Sequence, residues 1–146
     1  MINVSIIGST KKVREELESA FFFYMKKLLP RTRNIEVEID LIRNLSGKEG
    51  LCGDCTWNDN NHRPRDFTIR IDSSLDLDDI HDTLAHEMIH VKQYAKGELV
   101  DLVRSPTSCK WMGKVIDWTK LEDKEPWEIE TYERSHKLYE EWKSYK

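Results

Sequence analysis

Apolar and polar residues alternate in several stretches of the chain in a way that predicts β-strands. Residues 2–7 are mostly apolar and indicate a buried strand. Regular alternation over residues 35–41, and again over residues 67–71, predicts two half-buried strands. The polar segment 44–64 contains glycines and shows no such pattern, so we expect it to be a loop.

Apolar residues spaced three and four apart predict three helices. The first runs from a cap at residue 9 or 10 to about residue 29, and the second runs from a cap at residue 74 or 76 to Gly97. The third has Pro126 in its first turn and continues to about residue 142. The stretch 98–118 is expected to be extended or irregular, with a short strand at 110–117. Early strands flanked by helices predict an α+β fold, in one domain over residues 1–146.

Composition and charge narrow the class of protein. Charged residues make up 34% of the chain and the net charge is −4, whereas a nucleic-acid-binding protein is normally basic. One basic cluster is interpreted as solvated cations at a helix end; it comprises Lys26, Lys27, Arg31 and Arg33. No apolar run approaches the roughly 18 residues that cross a bilayer, and the first residues do not resemble a signal peptide. Because three cysteines are also an odd number for a disulfide framework, we expect a cytoplasmic protein.

The sequence His86-Glu87-Met88-Ile89-His90 is an H-E-x-x-H motif inside the second predicted helix. Residues four apart on a helix project from the same face, so His86 and His90 can both reach one Zn²⁺ at about 2.0–2.1 Å. Glu87 lies beside them, where its carboxylate can take a proton from a zinc-bound water. The alternative is a pair of polar surface histidines without a metal.

A catalytic zinc site requires a third protein ligand, and the last predicted helix supplies two candidates. At about 100° per residue, Trp127 and Thr131 share the packed face of this helix, with Glu128 on one side and Glu130 on the other. Glu133 points away and is expected in solvent. Helical geometry does not separate Glu128 from Glu130, and an acid near a helix N-terminus is stabilising even without a metal.

Two segments resemble those of small zincin-like and SprT-like metallopeptidases, many of which are phage-encoded. They are residues 83–94, TLAHEMIHVKQY, and residues 126–131, PWEIET. The related gluzincins take their third zinc ligand from a downstream glutamate, which in several branches stands three residues before a small residue. Glu128 with Thr131 matches that spacing, so the resemblance implies Glu128 as the ligand, with Glu130 in reserve, and a zincin-like fold. SprT proteins use a third histidine, for which only His136, deep in the last predicted helix, is available here, and a zinc-ribbon tail, which has no match. A role in repair of DNA–protein crosslinks is therefore not expected.

These residues predict a zinc metallopeptidase that hydrolyses peptide bonds in a protein or peptide substrate. One catalytic zinc ion polarises the carbonyl and activates water, and Glu87 serves as the general base. The alternative is a non-catalytic zinc-binding interaction protein on the same scaffold.

Cysteines provide a second candidate for metal binding. Cys52 and Cys55 form a C-x-x-C motif, and with His62 and Cys109 they have the ligand types of a structural zinc site. Their spacing matches no standard pattern, and a redox motif would require a helix start directly after a strand. We therefore interpret them as ordinary thiols.

The sequence also predicts where one strand and several side chains lie relative to the cleft, the core and solvent. The strand at 65–71 precedes the motif helix and is expected to form the upper edge of the cleft, where a peptide could add through main-chain hydrogen bonds. His81 is expected in solvent and Trp127 in the core. Tyr94 and Tyr132 are candidates to stabilise a tetrahedral oxyanion.

Overall fold

A mixed four-stranded sheet forms one layer of the fold in the computed structural model, which describes residues 1–102 and 104–146. Its strands are β1 (Ile2–Ile7), β2 (Ile35–Ile42), β3 (Gly53–Trp57) and β4 (Asp66–Asp72), in the spatial order β1-β2-β4-β3. β1, β2 and β4 run parallel, and β3 pairs antiparallel with β4. Because β3 is last in that order, its outer edge pairs with no other strand of the described residues.

Four helices accompany this sheet. They are α1 (Lys11–Leu28), the short α2 (Leu45–Glu49), α3 (Leu77–Ala95) and α4 (Pro126–Tyr145). α1 connects the parallel strands β1 and β2, as such a crossover usually requires. α3 packs against the sheet and against α4. Among the described residues, no helix is both long enough and apolar enough to cross a membrane.

The core lies between one face of the sheet and the helices. Alternate residues of β2 and β4 point into it, while the opposite face of β2 carries Glu36, Glu38 and Asp40. α1 contributes a buried stripe at helical spacing, and α3 contributes another. This two-layer arrangement is an α+β fold, which confirms the fold class expected from the hydrophobic pattern.

A second, three-stranded antiparallel sheet follows α3. It consists of β5 (Leu99–Asp101), β6 (Ser108–Trp111) and β7 (Lys114–Asp117). The expectation of one short strand at 110–117 was wrong, because Met112 and Gly113 adopt positive φ angles of 51° and 83° and reverse the chain there. The stretch 98–118, which was expected to be extended or irregular, contains these three extended strands; residue 103 lies outside the described residues.

The segment 44–64 is not a plain loop, since it contains α2 and β3. The sequence of β3, Gly-Asp-Cys-Thr-Trp, begins with two residue types that are depleted in strands, and its five residues are too few to show a clear alternation. Its pairing with β4 supplies the missing stabilisation, and Arg70 of β4 forms an ion pair with Asp54 of β3. The strand therefore depends on pairing with the strand that follows it along the chain, and not on its own composition.

His81 is buried, so the expectation that it lies in solvent was wrong. Its ring stacks on Tyr139 and Trp142 of α4, at centroid distances of 4.9 and 4.6 Å. Nε2 lies 3.1 Å from Glu16 Oε1, and burial lowers the pKa of His81. These contacts join α3 to both α1 and α4, which fixes α4 relative to the H-E-x-x-H helix.

Candidate metal centre

α3 presents the H-E-x-x-H residues on a well-capped helix. The Asp76 side chain accepts a hydrogen bond from the Asp79 amide, and Asp78 and Asp79 place negative charge in the first turn. Gly97 has a φ of +71° directly after the last turn, which is the left-handed conformation that closes many helices. The predicted start and end of this helix are therefore confirmed.

His86, His90 and Glu128 come together between α3 and α4. Glu128 Oε1 lies 2.9 Å from His90 Nε2, and Glu128 Oε2 lies 3.4 Å from His86 Nε2. One donor atom from each residue falls within 4.8 Å of the other two. The side chains are 21%, 12% and 28% exposed for His86, His90 and Glu128, respectively, so the group borders both the core and solvent.

The donor set has the chemistry of a zinc site. Two imidazole nitrogens and one carboxylate oxygen are the three protein ligands found in one class of catalytic zinc centres, which keep the fourth position open. Hydrogen bonds from His86 and His90 hold the pKa of Glu128 well below its usual range. For His90, burial lowers the pKa, but Glu128 and the charge of Glu87 outweigh it and the net direction is upward. Without a metal, the site therefore favours an ionised Glu128 beside a protonated His90, so a proton occupies the place where a metal cation would bind.

Glu87 lies next to this group and is almost completely buried, with 6% of its surface exposed. Burial raises its pKa to about 7, with smaller contributions in the same direction from Glu128 and Asp54 and opposing ones from His90 and His86. A carboxyl group with a pKa near neutrality can both accept and donate a proton under physiological conditions. This property suits a general base.

Glu130, the reserve candidate for the third ligand, faces a different set of partners. Its Oε2 lies 2.5 Å from Lys92 Nζ and 2.8 Å from Arg134 Nη1, and its Oε1 accepts a hydrogen bond from Gln93. The structure therefore brings Glu128, but not Glu130, to the two histidines. Glu133 is exposed, as expected.

The cleft beside the histidines is bounded by β3 and α4. A cavity of about 440 Å³ opens there, and the residues that line it are Cys52, Gly53, Asp82, Thr83, His86, Glu87, Tyr132, Ser135 and His136. The expectation that strand 65–71 forms the cleft edge was wrong, because β4 pairs with β2 on one side and β3 on the other. The edge strand beside the cleft is β3.

The aromatic candidates differ in position. Tyr132 is exposed and its ring lies 5.4 Å from that of His86. The Tyr94 ring packs against that of Trp57 in a tilted arrangement, with a centroid distance of 4.5 Å, and burial raises the pKa of the Tyr94 hydroxyl. Trp127 is only partly buried and faces Trp111 at 6.1 Å, so its expected place in the core was wrong. Tyr132 is the tyrosine that the cleft contains.

In the part of the chain that the structure describes, the cysteines and His62 form no group of three or more converging metal ligands. Cys52 is exposed at the cleft, while Cys109 is buried in β6 of the other sheet. Among the described residues, the only group of three or more His, Cys, Asp and Glu side chains with converging donor atoms is His86, His90 and Glu128. Cys55 packs against the core, where desolvation, with smaller effects of Glu87 and Asp54, raises the pKa of its thiol.

A larger cavity lies elsewhere among the described residues. It has a volume of about 790 Å³ and lies beside the ends of α1 and α3, with Arg31, Arg33, Arg63, Arg65 and Lys96 in its lining. His86, His90 and Glu128 do not line this cavity, and its lining residues include no candidate catalytic group. The donor set, and not cavity size, therefore identifies the candidate centre.

Sequence reasoning missed Lys92 and Gln93, which follow directly after the motif and are both buried. Their polarity in an otherwise apolar stretch of α3 was the available signal.

No family model, curated protein or solved structure matches the chain. A function for the protein must therefore rest on the chemistry of the site.

Proposed function

We propose that the protein is a zinc-dependent metallopeptidase with a zincin-like fold. The observation that carries this proposal is the convergence of His86, His90 and Glu128 from two helices, with the buried Glu87 next to them. A surface pair of histidines would not require a third donor from another helix. Two imidazoles and a carboxylate also leave one position open for water, as hydrolysis requires.

Each side chain has a distinct task in this proposal. His86, His90 and Glu128 would hold the zinc ion. When bound, zinc polarises a carbonyl group and lowers the pKa of water to about 7. Glu87 accepts a proton from the attacking water at its carboxylate and returns it to the amine nitrogen of the leaving group. Its raised pKa, about 7, matches both halves of that exchange.

The outer edge of β3 supports an extended peptide as the substrate. β3 lies beside the cleft, and Cys52 and Gly53 at its start line the same cavity as His86 and Glu87. An extended peptide can add to a free strand edge through main-chain hydrogen bonds, which hold any sequence at a fixed distance. A scissile bond would thus be presented to Glu87 without a deep binding pocket.

The test compares wild type with a Glu87→Gln variant on a disordered protein substrate such as casein. Wild type with zinc should cleave it and a chelator should stop cleavage, while the variant should bind zinc and show at least about a 100-fold loss of rate. Glu133→Gln is the matched control, because Glu133 is an exposed glutamate outside the cleft, and it should leave the rate unchanged. Undiminished cleavage by Glu87→Gln would contradict the proposal, and a wild type that binds zinc but cleaves nothing would favour a non-catalytic zinc-binding protein.

A further inference from the structure

Gln93 is the single glutamine of the sequence, and it is completely buried three residues after His90 on α3. Its side chain makes three hydrogen bonds. Oε1 lies 2.8 Å from His90 Nδ1, and Nε2 lies 2.9 Å from the Trp127 carbonyl oxygen and 2.9 Å from Glu130 Oε1. One amide group thus connects a motif histidine to the helix that carries Glu128.

The partners of Gln93 determine which way its amide faces. A backbone carbonyl and an ionised carboxylate can only accept hydrogen bonds, so the NH₂ group must point towards Trp127 and Glu130. The amide oxygen must then point towards His90. Because that oxygen can only accept, His90 Nδ1 must carry a hydrogen and donate it. The remaining nitrogen, Nε2, faces Glu128 at 2.9 Å.

Glu130 keeps the amide in this orientation. Its carboxylate pairs with Lys92 and Arg134, and these cations and Gln93 lower its pKa despite the opposing effect of burial. Lys92 is itself buried and also pairs with Glu98 at 2.8 Å. A reversed Gln93 amide would place its oxygen against the Glu130 carboxylate and the Trp127 carbonyl, so that acceptors would face acceptors with no hydrogen between them.

We propose that Gln93 is a positioning residue for the metal centre. It holds His90 in the tautomer with hydrogen on Nδ1, so that the Nε2 lone pair is directed at the metal position, and it ties this histidine to the helix that supplies Glu128. The proposal rests on the metal site of the proposed function. Outer contacts of this kind orient metal-binding histidines in other metalloproteins. The competing interpretation is that Gln93 only packs α4 against α3.

Nitrogen-15 NMR of the imidazole rings tests the tautomer directly in wild-type protein. In the zinc-loaded state, His90 should show a protonated Nδ1 and a metal-bound Nε2, and in the metal-free state the Nδ1 hydrogen should still be present. A His90 that binds zinc through Nδ1, or that lacks the Nδ1 hydrogen, would overturn the proposal. Because Gln93 is the only glutamine, selective labelling also reports whether both of its amide hydrogens are hydrogen-bonded.

Zinc affinity, measured by competition with a chelating dye, separates positioning from packing. Gln93→Leu removes the acceptor for His90 and should weaken zinc binding about 10–100-fold. Tyr139→Phe is the matched control, since it removes another hydrogen bond between α4 and α3, to Asp78, and shares no partner with His90 or Gln93; it should change the affinity by less than about twofold. Equal affinities for the two variants would overturn the positioning role.

The two proposals fail in different ways. A wild type that takes up no zinc would contradict the proposed function, whatever the state of His90. A wild type that binds zinc and cleaves peptides, together with a Gln93→Leu variant of unchanged affinity, would contradict only the role of Gln93. If Gln93→Leu does not fold, the NMR spectrum of wild-type protein still decides the tautomer.

Discussion

Replacing Glu87 by glutamine is expected to stabilise the metal-free protein at alkaline pH while it abolishes catalysis. Glu87 is 6% exposed, and the cost of burying its charge dominates the shift that raises its pKa from 4.5 to about 7. A glutamine of nearly the same shape carries no charge. The substitution should therefore increase the stability of the fold while it removes the general base of the proposed active site, a trade-off that is common where a group serves function at the expense of stability.

The size of the effect follows from the two pKa values. A change from 4.5 to about 7 corresponds to roughly 3 kcal/mol between the protonated and ionised forms. Because the folded state holds its proton more tightly than the unfolded chain, this penalty is absent below the unfolded pKa, grows as pH rises between the two values, and is complete above about 7. We expect Glu87→Gln to be about 2–3 kcal/mol more stable than wild type at pH 8.5 and about equal to it at pH 5.

Urea denaturation in the presence of a chelator measures this difference at both pH values. Glu133→Gln, which removes an exposed carboxylate, serves as the control and should change stability by less than about 0.5 kcal/mol. A Glu87→Gln variant that is less stable than wild type at pH 8.5, or a difference that does not vary with pH, would refute the reasoning.

Three further outcomes are expected. Glu128→Gln should weaken zinc binding more than about 100-fold in a chelator competition. Glu130→Gln should mainly lower the free energy of unfolding, by about 1–3 kcal/mol. A larger loss of zinc affinity in Glu130→Gln than in Glu128→Gln would make Glu130 the ligand. Zinc affinity should fall on acidification, because the raised pKa of His90 lets protons compete, and calorimetry at pH 6 and pH 8 that found no change would contradict this. Trp142→Ala, at a side chain only 1% exposed, should cost about 3–5 kcal/mol in urea denaturation, and a loss below about 1 kcal/mol would refute its place in the core.

Elements whose pattern is local could be predicted from the sequence. Alternation of apolar and polar residues predicts the strands β1, β2 and β4. Helical spacing and capping residues predict the helices α1, α3 and α4. The H-E-x-x-H motif likewise needs only one helix to place His86 and His90 together. Each of these features is determined by residues that lie close together in the sequence.

Features that depend on contacts with another element of the fold could not be predicted. β3 is stabilised by pairing with β4, and His81 is buried because Tyr139 and Trp142 of α4 cover it. Helical geometry alone left Glu128 and Glu130 equivalent. What separates them is the way α4 docks on α3, where Lys92 and Gln93 engage Glu130.

The number of zinc ions bound per chain tests the central claim most directly. Native mass spectrometry of protein purified without chelators and then supplied with zinc should show one ion per chain, and a His86→Ala, His90→Ala double variant should show none. A wild type that binds no zinc, or a double variant that still binds one, would contradict the assignment of these residues as a metal centre.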